Sequence, residues 1–317
     1  MNRALKNRSK AALLALHKFA LRLGIIILPK HYYTGVPDLN LLNHTRATWA
    51  HPSELTGIEV DLDEQARRLR ETCLPFATEY RGNNTYIEAT ESDCGPGFGY
   101  IEAQVLHAFV RYFKPSRIIE VGSGVSTYCL LAASQRNREE GGQESQITSI
   151  EPYPRAWLRR APVRLIENPV QQVSHQLFET LGSGDLLFID SSHSVQTAGD
   201  VNFLVLEVLP RLSSGVFVHF HDIYLPYDYP RDATATLSQA QETAFVHAFL
   251  IANKRIKIVF CLSHLHYSRQ FLLRELFLDY LPQGGDNGLR DTSSPVFGEP
   301  IGHFPSSLYL QIVLDGL

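Results

Sequence analysis

No Cys-x-x-Cys pair occurs in this sequence; its four cysteines, Cys73, Cys94, Cys129 and Cys261, lie far apart. That argues against a disulfide framework and for free thiols in a reducing, cytoplasmic compartment. Long apolar runs are missing as well. Lys18 and Arg22 interrupt AALLALHKFALRLGIIILP, leaving stretches too short for a transmembrane helix, and no small-residue cleavage site marks a secretory signal. A net charge of -4 gives no global footprint for nucleic acid. No internal repeat is visible. Acids are absent from the start of the chain: Arg3, Lys6, Arg8, Lys10, Lys18, Arg22 and Lys30 all precede the first, Asp38.

What remains is ordinary globular material, 317 residues with 44% hydrophobic and 20% charged side chains, enough for a sizeable core. Residues 1–37 form a basic amphipathic segment. Its plain reading is a helix docked on the body of the protein or a loose end; the functional alternative is peripheral membrane contact through residues 1–30. Residues 38–96 read as a cap segment, with a helix over Leu62 to Cys73 and polar stretches at 81–84 and 88–94. The main domain, 97–317, begins with a glycine-rich lead and a helix from Ile101 to Phe113 that stops before Pro115.

RIIEVGSGVSTYCL, residues 117–130, is the most informative stretch. A short apolar run ends in the turn Gly122-Ser123-Gly124, and helical spacing begins with Ser126 as the expected N-cap. A polar loop, 134–146, leads to a second strand, Ile147 to Glu151. Further strands are expected at Val163–Ile166, Asp185–Asp190, Val216–Asp222, Ile256–Leu262 and Ser307–Val313, with helices at Gln196–Leu209 and Glu242–Asn253. Strands alternating with helices call for a mostly parallel sheet with right-handed crossovers.

In such a sheet ligands bind at the carboxyl ends of the strands, and the acids fall there. Gly122 and Gly124 let backbone approach a ligand. Glu151 suits two ribose hydroxyls. Asp190 and Asp222, with water, suit a hard divalent cation such as Mg²⁺. His193 and His221 stand where a base is useful, while His219, on the same face of its strand as His221, reads as a core histidine. Tyr100 and Glu102 before the first strand, with Tyr224, Tyr227 and Tyr229 after Asp222, either line an acceptor pocket or pack a lid. The sequence sets no oligomeric state.

IIEVGSGVST resembles the first motif of the class I S-adenosylmethionine-dependent methyltransferases, and ITSIEPYP resembles the second, whose acid grips the ribose. LLFIDSSHSVQTAGDV with LPRLSSGVFVHFHDI resembles the subset that includes metal-dependent sugar O-methyltransferases. The resemblance covers roughly residues 97–262 plus a last strand. It implies a Rossmann-like α/β fold whose seven-stranded sheet runs 3-2-1-4-5-7-6, the last strand antiparallel. It also implies that S-adenosyl-L-methionine lies over Gly122 to Gly124, contacted by Glu120, Ser123, Ser126, Glu151 and Asp190. Metal carboxylates map onto Asp190 and Asp222; the candidate catalytic residues at these strand ends are His193, His221 and Asp190. Two positions depart: Ser192 stands where relatives carry a proposed catalytic aspartate, and His221 where they often carry an acid.

The expected reaction is O-methylation of a small hydroxylated acceptor, sugar or phenol-like, with Mg²⁺ as a candidate aid. One alternative is an NAD(P)-dependent oxidoreductase, against which stand Thr127 at a fingerprint glycine and an acid, Glu151, well beyond about 20 residues on. Another is a catalytically inactive, membrane-associated binding module. Zinc hydrolysis on His219 and His221 is a weak third.

Overall fold

The computed structural model describes residues 3–31, 34–95, 97–236, 240–290 and 301–313, with side chains from residue 9 onward. The chain divides into two compact units, Met1–Trp49 and Ala50–Leu317. The boundary therefore falls later than residue 37. The 38–96 stretch is split between the units because the Leu62–Cys73 helix packs into the large one: Leu69 and Cys73 share a core with Phe109 and Phe260. The buried Gln65 side chain also accepts from the Cys261 amide at 3.0 Å.

In the small unit the Arg3–Leu21 helix is followed by a reversal at Gly24, whose φ of +71° glycine adopts without strain. The Ile25 amide donates back to the Ala20 carbonyl at 3.0 Å, and His17 Nδ1 meets the Ile27 carbonyl at 2.7 Å. Asp38 caps a short helix, Leu39–His44, by accepting from the Asn40 and Leu41 amides.

The large unit is built on seven strands: β1 (Arg117–Val121), β2 (Gln146–Ile150), β3 (Arg164–Ile166), β4 (Leu186–Ile189), β5 (Phe217–Phe220), β6 (Ile256–Cys261) and β7 (Leu308–Ile312). Their order is β3-β2-β1-β4-β5-β7-β6. The first five pair in parallel, with Ile118 opposite both Ile147 and Leu186, while β7 runs antiparallel between β5 and β6. This is the Rossmann-like methyltransferase order expected from the sequence. Helices cover both faces, so β4 and β5 are buried throughout; β4 reads as an unbroken apolar run and β5 as one interrupted by His219. One face packs against helices Tyr100–Phe113 and Val125–Glu139, the other against residues 204–209 and the Glu242–Leu250 helix.

Three local expectations change. The helix after the glycine turn starts at Val125 with Gly124 as its N-cap, because the Thr127 hydroxyl accepts from the Gly124 amide at 3.1 Å and takes the capping role assigned to Ser126. It also runs to Glu139, through half of the expected polar loop. The helix expected over Gln196–Leu209 begins only at Asp200, since Ala198 is left-handed at φ +62°. It then widens into a π-turn over Leu204–Val208 and tightens to 3₁₀ before Leu212. Finally, residues 84–91 of the polar cap are helical.

Candidate active site

The carboxyl ends of β1, β2 and β4 enclose a cleft of about 320 Å³ lined by Gly122, Glu151, Tyr153, Val170, Asp190 and Asp200, among others. Gly122 is required there twice. Its φ is +82°, and a Cβ would stand 2.2 Å from the Asp190 carbonyl oxygen, closer than any carbon can approach. Gly124 sits beneath the Cys94 carbonyl, which a Cβ would meet at 3.1 Å. Glu151 is half-exposed in the cleft; the Tyr153 amide donates to one oxygen at 2.8 Å and the Ser123 hydroxyl to the other at 3.2 Å.

Glu120 and Ser126 do not face this cleft, a correction to the sequence reading. Glu120 is fully buried behind the turn and accepts from Ser126 (2.8 Å), Thr127 (2.7 Å) and Ser149 (3.0 Å). Burial pushes its carboxyl up to about 7, against the opposing pull of those three hydroxyls. The pair anchors the turn from behind.

Beyond Asp190 the acids and imidazoles converge. His193, left-handed at φ +58°, places Nδ1 2.7 Å from Glu242 Oε2. Its Nε2 lies 3.5 Å from Asp190 Oδ1 and 3.4 Å from Asp222 Oδ2. Burial alone would lower its pKa, but Asp190, Glu242 and Asp222 outweigh it and raise it to about 10. Asp190 is held well below the usual carboxylate range: burial acts upward, and His221 with His193 overcome it. Glu242, buried at the start of its helix and pushed upward by desolvation, also takes the Ser191 hydroxyl at 3.1 Å. Sequence reading missed Glu242, and an acid in a helix's first turn gave no signal beyond the helix dipole.

His221 is buried between Asp190 Oδ1, 3.3 Å from Nδ1, and Glu102 Oε1, 3.2 Å from Nε2. Both ring nitrogens lie off the hydrogen-bonding direction, so these contacts act by charge. Burial opposes the charge, but Asp222, Asp190 and Glu102 together keep the imidazole protonated well above its ordinary range. Phe98 covers the ring at 5.1 Å. His219, by contrast, belongs to the core: it stacks on Phe188 at 4.2 Å and pairs with the Ser307 hydroxyl at 2.9 Å.

Glu102 joins the cleft to a second cavity of about 450 Å³, lined by Tyr86, Tyr100, Gln283, His303 and Phe304. Its Oε1 accepts from the Ser306 amide at 3.0 Å and the Ser307 hydroxyl at 2.9 Å, and Ser306 also donates to Asp222 at 2.9 Å. Tyr100 stacks on His303 at 5.3 Å and donates to Asp279 at 3.2 Å. Tyr224 stacks on Phe304 at 6.0 Å. Tyr227 lines neither cavity; it packs on Tyr267 at 4.9 Å and covers Gly288, because the 226–231 loop folds over the 285–290 hairpin. It is lid packing.

Among the described residues, Asp190, His193 and His221 bring ligand atoms within 4.8 Å of one another, and Asp222 falls outside that group. Such a set, one carboxylate and two imidazoles, suits a borderline transition ion. It fits Mg²⁺ poorly, since that ion takes an octahedron of oxygens. Asp222 still stands against the group, its Oδ2 3.4 Å from His193 Nε2 and 3.8 Å from His221 Nδ1.

Residues 119–223 match the family described as methyltransferase domain. The match falls on the stretch that holds the glycine turn and strands β1 to β5 of a sheet in the Rossmann-like methyltransferase order. A protein of Archaeoglobus fulgidus, itself uncharacterised, is 29% identical over 173 residues, spanning 50% of this chain and 75% of its own. Solved structures of similar layout include the O-methyltransferase TomG of Streptomyces achromogenes, involved in tomaymycin synthesis and determined with S-adenosylmethionine. It is 14% identical with a TM-score of 0.39, over 81% of this chain and 92% of that one. A protein described as a methyltransferase from Thermobifida fusca is 11% identical with a TM-score of 0.34, over 84% and 96%.

Proposed function

We propose that the domain moves the methyl group of S-adenosylmethionine to the oxygen of a small hydroxylated acceptor, sugar or phenol-like, held in the cavity of Tyr86, Tyr100 and Glu102. The observation that carries this reading is the bond between His193 Nδ1 and the buried Glu242. It fixes the ring and leaves Nε2 aimed at Asp190 and Asp222. That is how a general base is oriented by an acid. In the transfer the S–CH₃ bond breaks and an O–CH₃ bond forms, the sulfonium leaves as a neutral thioether, and the hydroxyl proton passes to Nε2. At rest His193 holds its own proton; a sulfonium cation in the cleft that Asp190 lines opposes that proton and lowers the pKa. Alignment of the two reactants supplies on the order of 7 kcal/mol of the barrier in good cases.

Calorimetry with S-adenosylmethionine is the first test. Glu151→Ala removes the ribose acceptor and weakens binding by about 1.5–3 kcal/mol, the worth of a hydrogen bond to a charged group. With a turned-over acceptor, the rate rises with pH as His193 sheds its proton, and His193→Ala lowers kcat by about 10² or more. Glu242→Gln removes an anion that holds this proton, so the midpoint of the profile moves to lower pH. An unmoved midpoint means that His193 is not the base.

A further inference from the structure

The cleft leaves one feature of the molecule unused. Eight large apolar side chains between Leu14 and Leu28 are exposed, among them Leu16, Phe19 at 59% and Ile26 at 69%. All eight fall within fifteen residues, and exposed apolar side chains at this density mark an interaction site. Leu16 and Phe19 are three residues apart and share one side of the Arg3–Leu21 helix. The reversal at Gly24, pinned by Ile25 and His17, turns the chain back along the helix, where Ile25, Ile26 and Leu28 are exposed as well. Lys18 and Arg22, four apart, project from a different side, with Lys10 two turns earlier. Lys30 pairs with Asp38, and no acid precedes Asp38 in the sequence.

A partner for this surface must accept apolar side chains and basic charge together. No helix among the described residues is long and apolar enough to cross a membrane, so the segment is suited to lying along an interface and not to spanning it. We propose that residues 9–30 dock the protein peripherally on an anionic lipid surface, Leu16, Phe19 and Ile26 entering the acyl boundary while Lys10, Lys18 and Arg22 meet the headgroups. Binding then has two components, one apolar and insensitive to salt, one electrostatic and screened by it.

The test is co-sedimentation of the full-length chain with vesicles of phosphatidylcholine alone and of equal parts phosphatidylcholine and phosphatidylglycerol. The anionic vesicles should bind more tightly by about tenfold or more, with the advantage fading as salt rises. The triple variant Leu16→Asp, Phe19→Asp, Ile26→Asp should lose binding to both. Lys10→Glu, Lys18→Glu, Arg22→Glu should lose only the preference for phosphatidylglycerol. Melting temperature and S-adenosylmethionine affinity of both variants serve as folding controls, because their substitutions lie outside the 50–317 unit. Binding by the apolar variant equal to that of the parent overturns the proposal. So does self-association of the parent that the apolar variant abolishes without any lipid binding, since the face then joins two copies of this chain. Neither result bears on methyl transfer.

Discussion

Glu120 and Gly122 lie two residues apart and do opposite work. Gly122 holds the cleft open at the point where any side chain would strike β4. Glu120 holds the same turn from behind, at a cost that depends on pH. Its pKa of about 7 in the folded chain stands above its ordinary 4.5. The folded protein therefore keeps a proton that the unfolded chain gives up. The stability tied to that proton is fully present below pH 4.5 and is lost as pH rises through 7, on the order of 3 kcal/mol. Glu120→Gln, neutral at every pH, should flatten this part of the profile. Urea denaturation from pH 4.5 to 8 checks it; parallel curves for the two proteins would show that Glu120 does not titrate there. His193 adds a loss of the same sign in a later window, between 6.5 and about 10.

At the scale of elements, legibility followed burial. Strands β1, β4 and β5 are closed on both faces, so each stood out as an apolar run ended by an acid or a glycine. Asp190, Glu151 and Gly122 were legible for the same reason, because strand ends place them. The helix after β4 was not legible. Its start is set by a tertiary bond, Asp200 accepting from the Ser192 amide at 2.8 Å and hydroxyl at 2.7 Å, which holds 191–199 as an ordered loop against the periodicity. Asp200→Ala removes that bond and should cost about 1–2 kcal/mol. It should also speed amide exchange across residues 191–199 while leaving β4 protected, as hydrogen exchange by mass spectrometry would record. Uniform exchange in both proteins would mean that the loop is ordered by something else. Glu120 misled for a related reason: an acid beside a glycine turn reads as a ligand group, yet two hydroxyls from the start of the next helix and a third from β2 turn it inward.

For the whole molecule, the sheet, the cleft and the second cavity all lie in the Ala50–Leu317 unit. Residues 50–317 expressed alone should therefore fold and bind S-adenosylmethionine with an affinity within about twofold of the full chain, far inside the 1.4 kcal/mol that a tenfold change represents. Calorimetry on the two proteins decides it, and a tenfold loss would assign the first 49 residues a part in the cleft. The carboxylate pair of this site also depends on the antiparallel strand: Ser306 and Ser307, entering β7, hold Glu102 and Asp222 in place. Asp190, His193 and His221 precede them by more than eighty residues. A ribosome that synthesises this chain therefore finishes the Gly122 turn early, and the two serines that hold Glu102 and Asp222 late. Contacts of such high sequence separation are of the kind that slows folding, so the anchoring of Glu102 and Asp222 waits on the last strand of the sheet.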